Sequence, residues 1–525
     1  MVAGLSLRLL AGTGLLLVGS GCVLISTAYD PQPTVQRVGA NQPVDERGAR
    51  DETDLSAHNS PALVRDPADP RRLAVADRID APRYSCTLHI SEDAGESWRT
   101  VPIPAPRGEE PKCFAPDVAY GADGTLYLSF VTLKGRGNVP NAVWISRLED
   151  GRTPSEPRKA LGPLSFQVRL TADREEPGRL YLTWLEASGV GLFKFSSPGN
   201  PIRAARSVDG GRTWGARSQV NDARRQRVVA PQPAAGPDGE LYLLYLDLKE
   251  DRLDYEGLHR GSGGPPYGGR WELVLARSED GGSEWSESVV EDRLVPAERF
   301  VAFIPPFPSL AIDEDGRLFA AFDALSRGDR DVMLWTLAPS AEDWEGPRRV
   351  NDTVERDETS QYLPKLASAR DGRLDVLYYD RRVDPERDIL TEASLQSSFD
   401  HGKTFGRRVR LSDRSFDSRV GFGSERDLPD LGSRLGLLSN DARALAVWTD
   451  TRAGTPASGK QDLSTAAVAV YGNGTRLSDA VRGALRFGGI GLALVGVALL
   501  APLAAPPALR LVRRGFRSRR RDSSA

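Results

Sequence analysis

The chain has 525 residues, with 69 Lys and Arg against 72 Asp and Glu, a formal net charge of -3, and only 3 Cys and 4 His. That length exceeds what one hydrophobic core organises, so either several domains or one large repetitive architecture is expected. Balanced, scattered charge excludes a nucleic-acid footprint in the body of the chain, and unclustered Cys and His exclude a zinc signature.

In chain order, residues 1–29 come first. An uncharged apolar run from Leu9 to Tyr29 follows Arg8, the pattern of a signal sequence or N-terminal membrane anchor. Cleavage after Ala28, cleavage and lipidation at Cys22, and retention as a helix all remain open. Residues 30–57 are polar and charged and read as a flexible linker.

Residues 58–480 carry two interleaved repeats. The first is a short apolar strand, a turn usually built on Asp-Gly, and a second apolar strand. It begins at Ser60 (SPALVRD), Ala115 (APDVAYGADG), Phe166 (FQVRLTAD), Ala230 (APQPAAGPDG), Phe307 (FPSLAIDEDG), Leu363 (LPKLASARDG) and Ser433 (SRLGLLSND). Asp-Gly between apolar runs signals a hairpin, because both residues accept the positive backbone angle of a tight strand connection. The hairpins recur at blade-sized spacing and further strands follow each. The fold class expected is therefore an all-β propeller of seven blades, or six if one pair only closes the ring.

The second repeat is an octapeptide: SEDAGESW from Ser91, SVDGGRTW from Ser207, SEDGGSEW from Ser278 and SFDHGKTF from Ser398. Its serines and aspartates (Ser91, Asp93; Ser207, Asp209; Ser278, Asp280; Ser398, Asp400) can bond backbone N–H groups. Its glycines (Gly95, Gly211, Gly282, Gly402) supply a positive φ, and its aromatics (Trp98, Trp214, Trp285, Phe405) fill space between strands. A structural turn is the expected role. Eroded copies stand near residues 145 and 338. Cys86 and Cys113 are expected to form a disulfide joining the first two repeats.

Strand alternation puts the octapeptides on one face of the disc and the connections after each second strand on the other. There Asp77, Arg78, Asp247, Asp323, Asp380, Arg381, Arg382, Asp450 and Arg452 gather. They either contact a ligand or tie blades together.

After residue 480, FGGIGLALVGVALLAPLAAPPAL (residues 487–509) is long enough to cross a bilayer, and residues 510–525 hold seven arginines that belong on the cytoplasmic side. The expected protein is a monomer at the bacterial cell membrane with the propeller outside. No cofactor is expected, no metal site is assigned, and no calcium-loop motif occurs.

The octapeptide resembles the Asp-box, or bacterial neuraminidase repeat. YYDRRVDPERD (from Tyr378) and AVWTDTRAGTPASGKQD (from Ala446) resemble phrases of sialidase-like exported bacterial proteins. The resemblance covers most of residues 60–470. For an exo-sialidase it implies a three-arginine clamp for the substrate carboxylate, an aspartate acid and a tyrosine nucleophile. Asp80 would be the acid, Arg78 a source of positive charge, and Tyr378 or Tyr379 the nucleophile. The clamp arginine of the first repeat is replaced by Asn59, and Gly432, Ser433 and Arg434 stand where related chains carry Gly-Asp-Tyr. The expected function is binding of a glycan or other polar ligand opposite the octapeptides. The alternatives are an exo-α-sialidase-like hydrolase and a protein-interaction platform of the envelope.

Overall fold

The computed structural model describes residues 33–45, 55–187, 200–251, 267–296, 307–326, 328–421, 431–471 and 479–504, with scattered positions between 10 and 22. Two compact units result: Val35–Ala469, and Met1–Thr34 with Val470–Ala525.

The first unit is a seven-bladed propeller. Blade one consists of strands His58–Arg65, Leu73–Ile79, Ser85–Ser91 and Arg99–Pro102, paired antiparallel in that order. Blades two to six repeat the order, with first strands Cys113–Tyr120, Ser165–Ala172, Val228–Ala235, Ser309–Ile312 and Gln361–Ser368. These first strands pack side by side around the axis. Blade seven is made of Gly436–Ser439, Arg443–Asp450 and Asp462–Tyr471, and its fourth strand comes from the other end of the chain, Thr34–Pro43.

That closure corrects the linker expected over residues 30–57. Thr34–Pro43 is an outer edge strand with mostly exposed side chains, so it needs no apolar face. It is fixed by polar bonds to blade six: Asn41 N–H donates to Asp413 Oδ2 at 3.0 Å, and Asp413 N–H donates to Asn41 Oδ1 at 2.7 Å. The ring has seven blades rather than six.

Blades face one another across apolar layers, so inner strands are buried on both sides. Leu241–Asp247 (LYLLYLD) is buried throughout, which is why it reads as a continuous apolar run rather than an alternating one. Layers such as Leu88, Leu128 and Phe130, or Leu334, Val376 and Tyr378, each draw on two neighbouring blades. The expected disulfide joins Cys86 of blade one to Cys113 of blade two.

The octapeptides follow the third strands and close on themselves. In the first, Gly95 N–H donates to Ser91 Oγ at 2.8 Å, Ser91 Oγ to Asp93 Oδ1 at 2.7 Å, and Ser97 N–H to Asp93 Oδ1 at 2.9 Å. The same bonds recur around Asp209 and Asp400. Around Asp280, Gly282 N–H and Ser278 Oγ repeat the first two. Each turn also reaches the preceding blade: Trp285 Nε1–H donates to Ser218 Oγ at 3.1 Å, and a Cβ on Gly402 would lie 2.7 Å from Leu334. The eroded copy in blade two keeps part of the device, with Arg152 and Thr153 N–H groups both 2.8 Å from Asp150 Oδ1.

In the second unit Asp479–Ala504 is helical. It overlaps only part of the span expected over 487–509, and residues 505–525 lie outside the described residues. Among the described residues no helix is long and apolar enough to cross a membrane. Most of residues 1–29 also lies outside them; Cys22 is not disulfide-bonded.

Two outcomes check this architecture. Gly402 has a φ of +79°, so Gly402→Ala should lower the unfolding free energy in denaturant titration by roughly 1–3 kcal/mol. The disulfide closes a sequence separation of 27, and Cys86→Ala should cost about 3 kcal/mol in the same assay. No change in either variant would contradict the packing described.

Candidate functional site

The carboxylates expected to form a ligand-binding rim are buried and committed. Asp247 pairs with Arg225 at 2.8 Å, Asp323 with Arg330 at 2.7 Å, Asp380 with Arg382 at 2.7 Å, and Asp450 with Arg452 at 2.6 Å. All four are at most 2% exposed. Asp323 also accepts Leu363 N–H of the next blade at 3.0 Å. Arg381 is held by Asp388 at 3.3 Å and stacks on Tyr362. These pairs are mostly local to one blade, and among the described residues Asp323 alone of the four bonds the next blade. Most of the connection after Asp247, residues 252–266, lies outside the described residues.

The candidate catalytic set is equally enclosed. Asp80 is 4% exposed and grips Arg78 through both oxygens, each at 2.8 Å, while Asn59 Nδ2–H donates to it at 2.9 Å. Tyr379 is fully buried between blades six and seven; its Oη donates to Thr449 O at 3.0 Å and accepts Thr449 N–H at 3.1 Å. Tyr378 Oη donates to Gln396 at 2.7 Å. A nucleophile and an acid must reach one glycosidic carbon. Here both groups are buried and hydrogen-bonded within the scaffold.

Asp77 has a different environment. His58 Nδ1 lies 2.7 Å from Asp77 Oδ2 and His89 Nε2 lies 3.0 Å from Asp77 Oδ1, with the Thr87 hydroxyl donating to the same carboxylate. The three could in principle surround a cation. Their separations are those of hydrogen bonds, and these bonds satisfy the cluster. Burial opposes charge on His58, but Asp77 beside it, with Asp45 and Asp462 beyond, holds its pKa up at about 9. Nearby, burial and then Asp45 push the Asp462 carboxyl up to about 7.

Residues not singled out from the sequence form the cavity. Five of the seven first strands are bulged near their start: pairing slips between Asn59 and Ala62, Phe114 and Asp117, Phe166 and Arg169, Val229 and Gln232, and Tyr362 and Lys365. A residue with positive φ sits in each slip, at Ser60, Ala115, Gln167, Ala230 and Leu363, with Gly432 in the matching place of blade seven. A Cβ on Gly432 would lie 2.5 Å from Ser60 N, so only glycine fits where the last blade meets the first.

The residue two places on faces the axis. The layer is Ala62, Asp117, Arg169, Gln232, Ser309, Lys365 and Arg434, one from each blade, around a cavity of about 430 Å³. The lining continues along the first strands through Leu63, Val64 and Arg65 to Pro67 in the first hairpin turn. The cavity thus runs from the bulges toward the octapeptide face, not toward the rim expected to bind ligand.

Charges in this layer are unequal. Asp117 faces Arg169 at 3.3 Å and Arg434 at 3.5 Å, and accepts Leu170 N–H at 2.9 Å. Arg434 is further anchored on the carbonyls of Pro116 and Ser60, at 2.9 and 3.2 Å. Arg169 stacks on Phe307, and its Nη1, although buried, has no hydrogen-bond partner among the described residues. Burial, followed by the charge of Arg169, pushes Lys365 down to about 8, only partly offset by Asp117.

No family model matches the chain, and no curated protein matches it. Solved structures are similar at low identity. A protein of unknown function from Dyadobacter fermentans is 14% identical with a TM-score of 0.45, covering 83% of this chain and 99% of its own. A PL25 ulvan lyase is 13% identical with a TM-score of 0.43, over 86% and 99%. The Hadza microbial sialidase Hz136 is 14% identical with a TM-score of 0.40, over 75% of each chain. At these identities and TM-scores no site residue and no activity is carried over.

The His58–Asp77 pair predicts a pH dependence. Because the folded pKa of His58 lies above its ordinary value of 6.5, its stabilisation is complete below 6.5 and lost as pH rises through about 9. Unfolding free energy should fall across that window by on the order of 3 kcal/mol, and His58→Gln should flatten the fall. An unchanged slope in the variant would contradict the assignment.

Proposed function

We propose that this protein is an extracytoplasmic, sialidase-like propeller of the bacterial envelope that binds a glycan or other polar ligand rather than cleaving one. The observation that carries the reading is the commitment of Asp80 and Tyr379. Both are buried and hydrogen-bonded within the scaffold, so the acid and nucleophile of a retaining glycosidase are not available together. The shared architecture with a sialidase and a polysaccharide lyase fits a carbohydrate ligand. The binding face is the one opposite the octapeptides, where the varied connections follow the second strands.

Attachment to the membrane through residues 487–509, with the arginine-rich tail inside, belongs to the same proposal. Its support is the apolar sequence followed by seven arginines, together with the exposed Phe487, Leu494 and Val497 side chains of the helix. An exported location also fits the disulfide.

The test is a glycan array probed with the full chain, run beside a fluorogenic sialoside assay. Glycan binding without turnover is expected, and Asp80→Asn should leave the turnover reading unchanged. Sialoside hydrolysis that Asp80→Asn abolishes would replace this reading with the exo-sialidase one.

A further inference from the structure

The layer at the inner end of the channel has more positive charge than it can use. Arg169, Lys365 and Arg434 share one carboxylate, Asp117, which already serves both arginines and two backbone N–H groups. Burying an unpaired ion costs several kcal/mol, so such a charge is kept near neutrality by a partner or by loss of its proton. Arginine cannot lose its proton in this range. Arg169 is only 8% exposed, yet its Nη1 donor has no partner among the described residues and stands in a wall of the cavity. Lys365 lines the same wall, and its ammonium has no hydrogen bond or ion pair among the described residues.

The surroundings are specific in shape as well as charge. Gln232 and Ser309 add neutral polar groups to the same layer, Phe307 backs the Arg169 plane, and Arg169, Gln232 and Lys365 stand directly after bulges on strands. A cavity of about 430 Å³ is large enough for a small oxyanion with part of a sugar ring attached.

We propose that this layer is an anion site: Arg169 and Lys365, flanked by Arg434, bind an oxyanion group that enters the channel from the octapeptide face. Phosphate, sulfate and a sugar carboxylate share the chemistry, since each offers several acceptor oxygens to a guanidinium fork and an ammonium. Asp117 sets the orientation by holding the two arginines. It also weakens binding of anions in general, so that one with several oxygens is favoured over chloride. The site lies at the end of the channel remote from the octapeptides, but it is argued from these side chains alone and does not rest on the glycan reading. Bound anion would raise the proton affinity of Lys365, which burial and Arg169 otherwise depress.

The experiment is thermal unfolding and titration calorimetry of the full chain in sodium phosphate, sulfate or glucuronate, against chloride and glucose at matched ionic strength. An oxyanion at a hundredfold excess over its Kd should raise Tm by about 2–3 °C relative to chloride. Lys365→Met should fold, because Lys365 is only partly buried, and should bind at least about tenfold more weakly. Arg169→Lys, which keeps the charge but loses the fork, should weaken binding similarly, whereas exposed Arg212→Gln should not. A response to phosphate or sulfate identifies a free oxyanion as the ligand chemistry, and a response to glucuronate alone identifies an acidic sugar. Equal Tm in all anions, or an undiminished response in both Lys365→Met and Arg169→Lys, would overturn the proposal.

Discussion

The fold depends on a bulge near the start of five of the seven innermost strands. A propeller must bring seven first strands together around an axis, and their backbones still need partners for every N–H group that the crowding buries. The bulge frees one N–H from the blade's own ladder and turns it toward the neighbour. Ala230 N–H donates to Gln167 Oε1 at 2.7 Å and Leu363 N–H to Asp323 Oδ1 at 3.0 Å, each across a blade boundary. Five non-glycine residues hold a positive φ to do this, at a cost of about 1 kcal/mol or more each, and the bonds between blades offset it.

The same device decides what the channel contains. Shifting the register at the bulge points the second residue after it toward the axis, so a single position per blade sets the polarity of the cavity. In blades two, three, six and seven that position is charged. The outer parts of the molecule are bound by a different logic. The octapeptides satisfy themselves within four residues and lean on the preceding blade, while the aspartates at the far rim neutralise arginines inside the scaffold. The charged groups least well paired by the scaffold are therefore at the centre.

Local features were legible in the sequence, and distant pairings were not. The octapeptides and hairpins could be read because their bonds join residues a few places apart, as in Ser207, Asp209 and Gly211. The blade count followed from the hairpins, and the disulfide from a lone pair of cysteines in the body of the chain. Asp247 and Arg225 are 22 residues apart, so their pairing is a product of the blade and not of any motif. Thr34–Pro43 was read as a linker because an exposed edge strand carries no apolar signature. The channel layer did leave a trace. Proline follows the positive-φ residue in Ser60-Pro61-Ala62, Ala115-Pro116-Asp117, Ala230-Pro231-Gln232 and Leu363-Pro364-Lys365, where a missing N–H costs the ladder nothing. The next residue is the one that faces the cavity. Blades three and seven lack that proline, which hid Arg169 and Arg434.

The central claim is that the bulges build a channel layer with a surplus of positive charge at a defined place. The most direct measurement is a crystal structure of the full chain grown with sodium selenate, with an anomalous difference map recorded at the selenium edge. The account predicts a peak within hydrogen-bond reach of Arg169 Nη1 and Lys365 Nζ. Selenate sites confined to the outer surface, with Arg169 and Lys365 contacting other protein groups, would contradict it.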